Sequence, residues 1–250
     1  EEERCRKRYL DLIFNKEVKE KFEKRTQTIK AIREFLEKKG FLEVETPVLQ
    51  SIYGGAEAKP FKTHINAFDL DMYLRISLEL PLKKLIVGGF EKVYEIGRVF
   101  RNEGVDRMHN PDFTMLEFYW AYADYKDMMK LTEQLIVYVV KQVAGKTKIT
   151  YEGKEINFKT PWPRIEYDAL LRKYANVDIA KENREAVAKK AKELDVPVDP
   201  AASKARIVDE IYKKYCRPKI WDPTFVIHHP AGSIPLAKQL DDDPTKLGTF

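Results

Sequence analysis

Two stretches of this chain carry residue types that do chemistry: "RVFRNEG" (Arg98 to Gly104) and "HNPDFTMLEFYWAY" (His109 to Tyr122). Around one short loop they set two arginines, two glutamates, a histidine and a run of aromatics. A guanidinium forks onto a carboxylate or a phosphate with a geometry that an ammonium cannot reproduce. An aromatic ring offers a flat face to a base, and a carboxylate holds an ammonium or a metal. Two β-rich runs flanking a loop with Gly104, Asp106, Asn110 and Pro111 predict an antiparallel pair. Alternate residues of a strand share a face. The outgoing strand then turns Glu95, Gly97, Val99, Arg101 and Glu103 one way, and Tyr94, Ile96, Arg98 and Phe100 the other. The returning strand turns Phe113, Met115, Glu117 and Tyr119 one way and the greasier Thr114, Leu116, Phe118 and Trp120 toward helices. Arg101, Glu103, Phe113, Glu117 and Tyr119 are expected on one working face, suited to a nucleotide and a cationic substrate. The competing reading is a plain sheet face with internal Arg–Glu bridges. The cost of burying unpaired charge counts against it.

Several elements must hold that face. Residues 16–39 predict a long amphipathic helix, with Val18, Phe22, Ile29, Ile32 and Leu36 in helical register and Gly40 as the stop. "FLEVETPVL" predicts a strand closed off by Pro47, and "YGGAEAKPF" a mobile loop. "MYLRIS" reads as a strand leading into a helix, "LELPLKKLIVGG", where Pro81 fits only the first turn. Asp124 is placed to cap a helix over 125–144 that Gly145 ends, and "KITYEGKEINF" predicts a hairpin turning at Glu152-Gly153. Residues 164–217 are richer in Ala, Lys and Glu and predict surface helices, a late helical insertion. The fold class is α+β, an antiparallel sheet flanked by helices.

Composition bounds the rest. A chain of 250 residues, 44% hydrophobic and 34% charged, fits one large domain or one domain with an insertion. A net charge of +5 permits a polyanionic partner without requiring one. Cys5 and Cys216 are not in a CxxC pair and the four histidines are not at zinc spacing, so no metal site and two idle thiols are expected. No apolar run is long enough to cross a bilayer; "LIVYVV" is six residues. A soluble cytoplasmic protein is expected. The chain has no GxxxxGK[ST] or GxGxxG loop, so a nucleotide's phosphates would be held by side chains and metal.

Taken together, the motifs resemble class II aminoacyl-tRNA synthetases. "GFLEVETPVL" is similar to their motif 1 and "YEIGRVFRNEG…HNPDFTMLEFY" to their motif 2. "YGGAEAKPF", "YLRISLELPLKKLIVGGFEKVYEIGRVFRNEG", "TMLEFYWAYADYKDMM" and "SIPLAKQLDDDP" resemble the lysyl-tRNA synthetase family within that class, and the likeness is loosest over 176–217. The resemblance implies a six- to seven-stranded antiparallel sheet and a homodimer through residues 16–48. It implies ATP-dependent activation of lysine to lysyl-adenylate, then transfer to tRNA(Lys). It assigns Arg101 to bridge the lysine carboxylate and the α-phosphate. Glu103 falls near the adenine amino group, His109 near the terminal phosphates, and Phe113 stacks on adenine. Glu79 and the Gly55 backbone hold the α-amino group, while Glu117 and Tyr119 line the channel for the side-chain ammonium. Leu78, Pro81 and Asp112 depart from residues common in the family. The resemblance places motif 3 and the Mg²⁺ ligands beyond residue 250. A catalytic-domain fragment is therefore expected, one that binds lysine and ATP weakly and activates lysine poorly by itself. Two other functions stay open: a paralogue that lysylates elongation factor P, and a non-catalytic, dimeric synthetase-like module.

Overall fold

The computed structural model describes residues 2–106, 108–234 and 236–250, without the side chain of Cys5. They form two compact units, Glu1–Ala123 and Asp124–Phe250.

The first unit opens with α1 (Glu2–Arg6), α2 (Arg8–Phe14) and α3 (Lys16–Lys38). In α3 the spacing of apolar residues buries Val18, Ala31, Phe35 and Leu36. Gly40, at φ 79°, turns the chain away from its end. The single strand expected across "FLEVETPVL" is instead two short ones, β1 (Leu42–Glu43) and β2 (Leu49–Gln50). Pro47 lies between them and has no N–H to give a ladder. β3 (Lys62–Ile65) and β4 (Leu70–Leu74) follow, then α4 (Glu79–Val87), with Pro81 in its first turn. β5 (Lys92–Phe100) and β6 (Asp112–Trp120) pair antiparallel along their whole length, from Lys92↔Trp120 to Phe100↔Asp112.

In the second unit α5 (Tyr125–Ala144) starts with a reciprocal cap between Asp124 and Asp127 and ends at Gly145, φ 70°. β7 (Lys148–Tyr151) and β8 (Lys154–Asn157) form a hairpin whose two turn residues, Glu152 and Gly153, both have positive φ. The segment expected as a helical insertion begins with a strand, β9 (Arg164–Glu166), before α6 (Tyr167–Ala175), α7 (Arg184–Glu193) and α8 (Lys204–Ile211). Each helix sends an apolar stripe into one core: Leu170, Leu171, Val187, Ala191, Ile207, Val208 and Ile211 are buried together. After Ile211 the chain of α8 widens into a π-turn, Tyr212–Cys216. β10 (Phe225–Ile227) closes the unit beside β9. Cys216 is buried, which pushes its thiol up to about 11.

The described residues do not form one six- or seven-stranded antiparallel sheet. The first unit holds a three-stranded sheet, β1-β5-β6, in which β1 runs parallel to β5, and a separate antiparallel sheet, β2-β4-β3. In the second, β9 and β10 are parallel, because the long helical excursion between them returns the chain to the same end, as a crossover requires. No helix among the described residues is long and apolar enough to cross a membrane.

Candidate functional site

The β5/β6 register fixes which side chains meet. Val93 opposes Tyr119, Glu95 opposes Glu117, Gly97 opposes Met115 and Val99 opposes Phe113, so all eight share one face. The ladder extends one step, Arg101 N–H donating to the Pro111 carbonyl at 2.8 Å, and keeps Arg101 on that face. Its guanidinium carbon lies 5.2 Å from the centre of the Phe113 ring. Its Nε donates to the Ile76 carbonyl at 3.3 Å.

The alternation does not reach Glu103. β5 ends at Phe100, so Glu103 stands exposed in the loop rather than beside Arg101. His109 is in the same loop and is also exposed. Asp106 organises this segment: its Oδ1 accepts from the Met108 and His109 amides, and its carboxylate meets His109 Nδ1 at 2.8 Å. The His109 bond first, and the Met108 amide next, hold the Asp106 carboxyl below the usual range. Among the described residues no bond joins Glu103 or His109 to the other candidates.

Glu117 does two things from β6. Its Oε1 accepts the Leu78 amide at 3.0 Å, just ahead of α4, and its Oε2 accepts the Tyr119 hydroxyl at 3.1 Å. Burial, then the charges of Glu117 and Glu79, push the Tyr119 phenol far up. Glu79 stands at the first position of α4, and the Lys83 ammonium lies on its Oε1 at 2.6 Å. The same ammonium is 6.0 Å from the centre of the Tyr119 ring. Gly55 closes the near side. At φ 83° it is in the left-handed region, and a Cβ there would stand 2.3 Å from Ser77 Oγ and 2.8 Å from the Glu79 Cβ. Ser77 Oγ donates to the Gly54 carbonyl at 2.8 Å and pins that loop.

The structure therefore brings Gly55, Glu79, Arg101, Phe113, Glu117 and Tyr119 onto one side of the hairpin. That face is also part of the core. Leu78 and Leu82, with Leu85 and Ile86, pack on Val93, Val99 and Met115. The expectation that helices cover only the opposite face is corrected accordingly. On that opposite face Phe118 and Trp120 meet Phe41 edge-on, and Arg25 of α3 donates to Thr114. A sheet with apolar strips on both sides needs cover on both.

Sequence reasoning missed Arg75. It is buried on the working side, with Nη1 on Glu95 Oε1 at 2.6 Å, so Glu95 is taken up in a structural ion pair. The available signal was a lone arginine inside the apolar strand "MYLRIS", which must find a partner when buried. Ser77 and Lys83 were also missed; neither residue type marks a site from sequence.

What this face offers is a guanidinium over an aromatic ring at one end and two carboxylates bracketing a phenol at the other. A ligand with an anion toward one end and a cation toward the other fits that order of charges. Among the described residues no group of three His, Cys, Asp or Glu side chains stands ready to hold a metal ion.

The chain matches the family of class II tRNA synthetases (D, K and N) over residues 1–249. It is 52% identical over 248 residues to a lysine–tRNA ligase of Thermoanaerobacter sp. (strain X514), covering 99% of this chain and 50% of that protein. It is 51% identical to a lysine–tRNA ligase of Thermotoga maritima, covering 98% of this chain and 48% of that one. For a lysine–tRNA ligase of Clostridium novyi the figures are 52%, 94% and 47%. The chain thus spans about half the length of the curated relatives it matches.

Proposed function

The chain belongs to the class II tRNA synthetases, and on that premise we propose that it is part of a lysine–tRNA ligase and carries its lysine and adenylate site. In the first step a lysine carboxylate oxygen attacks the α-phosphate of ATP, and pyrophosphate leaves with the broken P–O bond. In the second, a ribose hydroxyl at the tRNA(Lys) end attacks the acyl carbon and AMP leaves. Little covalent chemistry falls to the protein, which aligns oxygen and phosphorus and neutralises developing charge. Arg101 bridges the carboxylate and the α-phosphate. Phe113, already beneath the guanidinium, takes the adenine on its free area. Glu79 and the Gly55 backbone take the α-ammonium, and Glu117 and Tyr119 take the side-chain ammonium. Glu103 and His109, exposed in the loop, close on the adenine amino group and the terminal phosphates. Mg²⁺ would add charge neutralisation at the phosphates, though the described residues offer no group of three His, Cys, Asp or Glu side chains to hold it.

The observation that carries this reading is geometric: Glu117 accepts the Tyr119 hydroxyl at 3.1 Å on the same face as Arg101, and Glu79 already holds one ammonium, that of Lys83, at 2.6 Å, so this end suits a cation and disfavours a carboxylate side chain. The family also embraces D and N enzymes, so amino-acid choice is the test. In the full-length protein, lysine is expected to drive ATP–pyrophosphate exchange where aspartate and asparagine do not. Arg101→Ala is expected to lower the exchange rate by about two to three orders of magnitude. Exchange driven by aspartate, or near-normal exchange in Arg101→Ala, overturns the reading. Charging of tRNA(Lys), rather than lysylation of elongation factor P, is the expected second half-reaction.

The protein is also read as a homodimer through residues 16–48. Supporting this, the segment leaves Phe22, Leu42 and Val48 exposed despite their apolar character.

A further inference from the structure

We propose that Arg75 is a positioning residue that sets where Arg101 stands, an inference that rests on the role of Arg101 given above. Arg75 touches none of the candidate ligand-binding side chains directly. It is 3% exposed, and its bonds tie together two separate parts of the chain, β5 and the turn between β1 and β2. Nη1 lies on Glu95 Oε1 at 2.6 Å in β5. It also donates to the Thr46 carbonyl at 2.9 Å and to Thr46 Oγ1 at 3.1 Å, in the turn between β1 and β2. Nε donates to the Arg98 carbonyl at 2.8 Å. Through its backbone Arg75 accepts the Phe100 amide at 2.9 Å and donates to the Val48 carbonyl at 3.0 Å. Thr46 completes the ring, its Oγ1 donating to Glu95 Oε2 at 2.7 Å and its amide to the same oxygen at 3.2 Å.

Two of these contacts, at Arg98 and Phe100, grip the end of β5 immediately before Arg101. The residues that follow Arg75 hold the rest of the site in succession. The Ile76 carbonyl accepts from Arg101 Nε, Ser77 Oγ donates to Gly54, the Leu78 amide donates to Glu117, and Glu79 is itself a candidate ligand. Segment 75–79 is thus a spine on which the site hangs, and the buried guanidinium anchors it to β5.

Gly97 is shaped for this anchor. A Cβ at that position would stand 2.2 Å from Arg75 Nη2 and 2.9 Å from Glu95 Oε1. Its backbone is not in the left-handed region, so a glycine is required there by the guanidinium and not by the chain's own conformation. Gly97→Ala therefore displaces the guanidinium while both charges stay. Arg75→Lys keeps a cation for Glu95 but loses the fork that reaches Thr46 and Arg98 together.

The test uses the full-length protein and follows one turnover of lysyl-adenylate formation. The burst amplitude reports the folded, competent fraction; the rate constant reports the geometry of each competent site. A merely structural role lowers the amplitude alone. A positioning role lowers the rate constant by about tenfold or more in both Gly97→Ala and Arg75→Lys, since small misplacements of a reacting group are costly. Rate constants within about twofold of wild type in either variant, whatever the amplitude, overturn the inference. If the wild-type protein shows no lysine-dependent burst, or Arg101→Ala retains it, the function reading has failed instead.

Discussion

At the residue scale, Lys83 and Gly55 show how little separates a structural contact from a functional one. The Lys83 ammonium lies on Glu79, the carboxylate assigned to the α-ammonium of lysine. It is an i,i+4 pair at the start of a helix, with the lysine side chain 46% exposed, so it contributes only about 0.3–0.5 kcal/mol. A substrate ammonium must displace or share it. Lys83→Ala is expected to lower the KM for lysine by about twofold, the same energy expressed as a ratio; a KM that rises instead would make Lys83 part of the binding site. Gly55→Ala should act the other way. A methyl group there meets Ser77 Oγ and Glu79 at a backbone angle that costs an alanine about 1 kcal/mol or more. The KM for lysine is expected to rise about tenfold as Glu79 and the loop shift, with thermal unfolding lowered by only about 2–4 °C; an unchanged KM would remove Gly55 from the site. Arg101, Phe113, Glu117 and Tyr119 were legible because strand alternation is strictly periodic, and the register carried Arg101 one step past the ladder. Glu103 was not, because the alternation stops where the strand does. Nothing in the sequence announces that Phe100 is its last residue.

At the scale of elements, local chemistry read well and long-range pairing did not. Asp124, Gly145 and the Glu152-Gly153 turn each do a job that only a few residue types perform, and each sits where the spacing puts it. The paired strands β9 and β10 lie on either side of three helices in the sequence, and no local signal records that they run parallel. Beyond β9 the chain is tied down by charge. Glu166 takes Lys246 at 3.0 Å on one oxygen and His228 Nδ1 at 3.3 Å on the other. The Lys246 bond is the main reason its carboxyl is held below the ordinary glutamate value, and the same bond raises the Lys246 ammonium. A lowered carboxyl adds stability that is present above its unfolded pKa and is lost as pH falls through the lowered folded value. Resistance of the protein to urea should therefore fall from near pH 4.5 downward. Glu166→Gln should flatten that acid limb while leaving the curve above it parallel to wild type. The difference is expected to stay under about 1 kcal/mol because the carboxylate is 40% exposed. An acid limb as steep in Glu166→Gln as in wild type would place the linkage elsewhere.

At the scale of the molecule, the question is what covers the apolar surface of the first unit. A helix of the length of α3 buries four of its residues and leaves Phe22 48% exposed. The segment that follows adds Leu42 at 49%, Val48 at 38% and Leu49 at 42%. Pro47 explains part of this. By cutting the expected strand in two it leaves β1 and β2 too short to fold their outer side chains into either sheet. Scattered apolar residues need no partner, whereas a contiguous exposed apolar patch is the usual mark of an interface. A symmetric dimer would bury the same segment from both copies, so each substitution counts twice. Val48→Asp and Phe22→Glu are expected to convert the full-length protein from dimer to monomer in sedimentation velocity at micromolar concentration, with the far-ultraviolet circular dichroism of each variant unchanged. The Thr46 turn, adjoining Pro47, also anchors Arg75, so loss of the dimer should slow adenylate formation as well as change the sedimentation coefficient. A variant that sediments as a monomer with wild-type exchange would separate assembly from the site, and one that stays dimeric would move the interface away from residues 16–48.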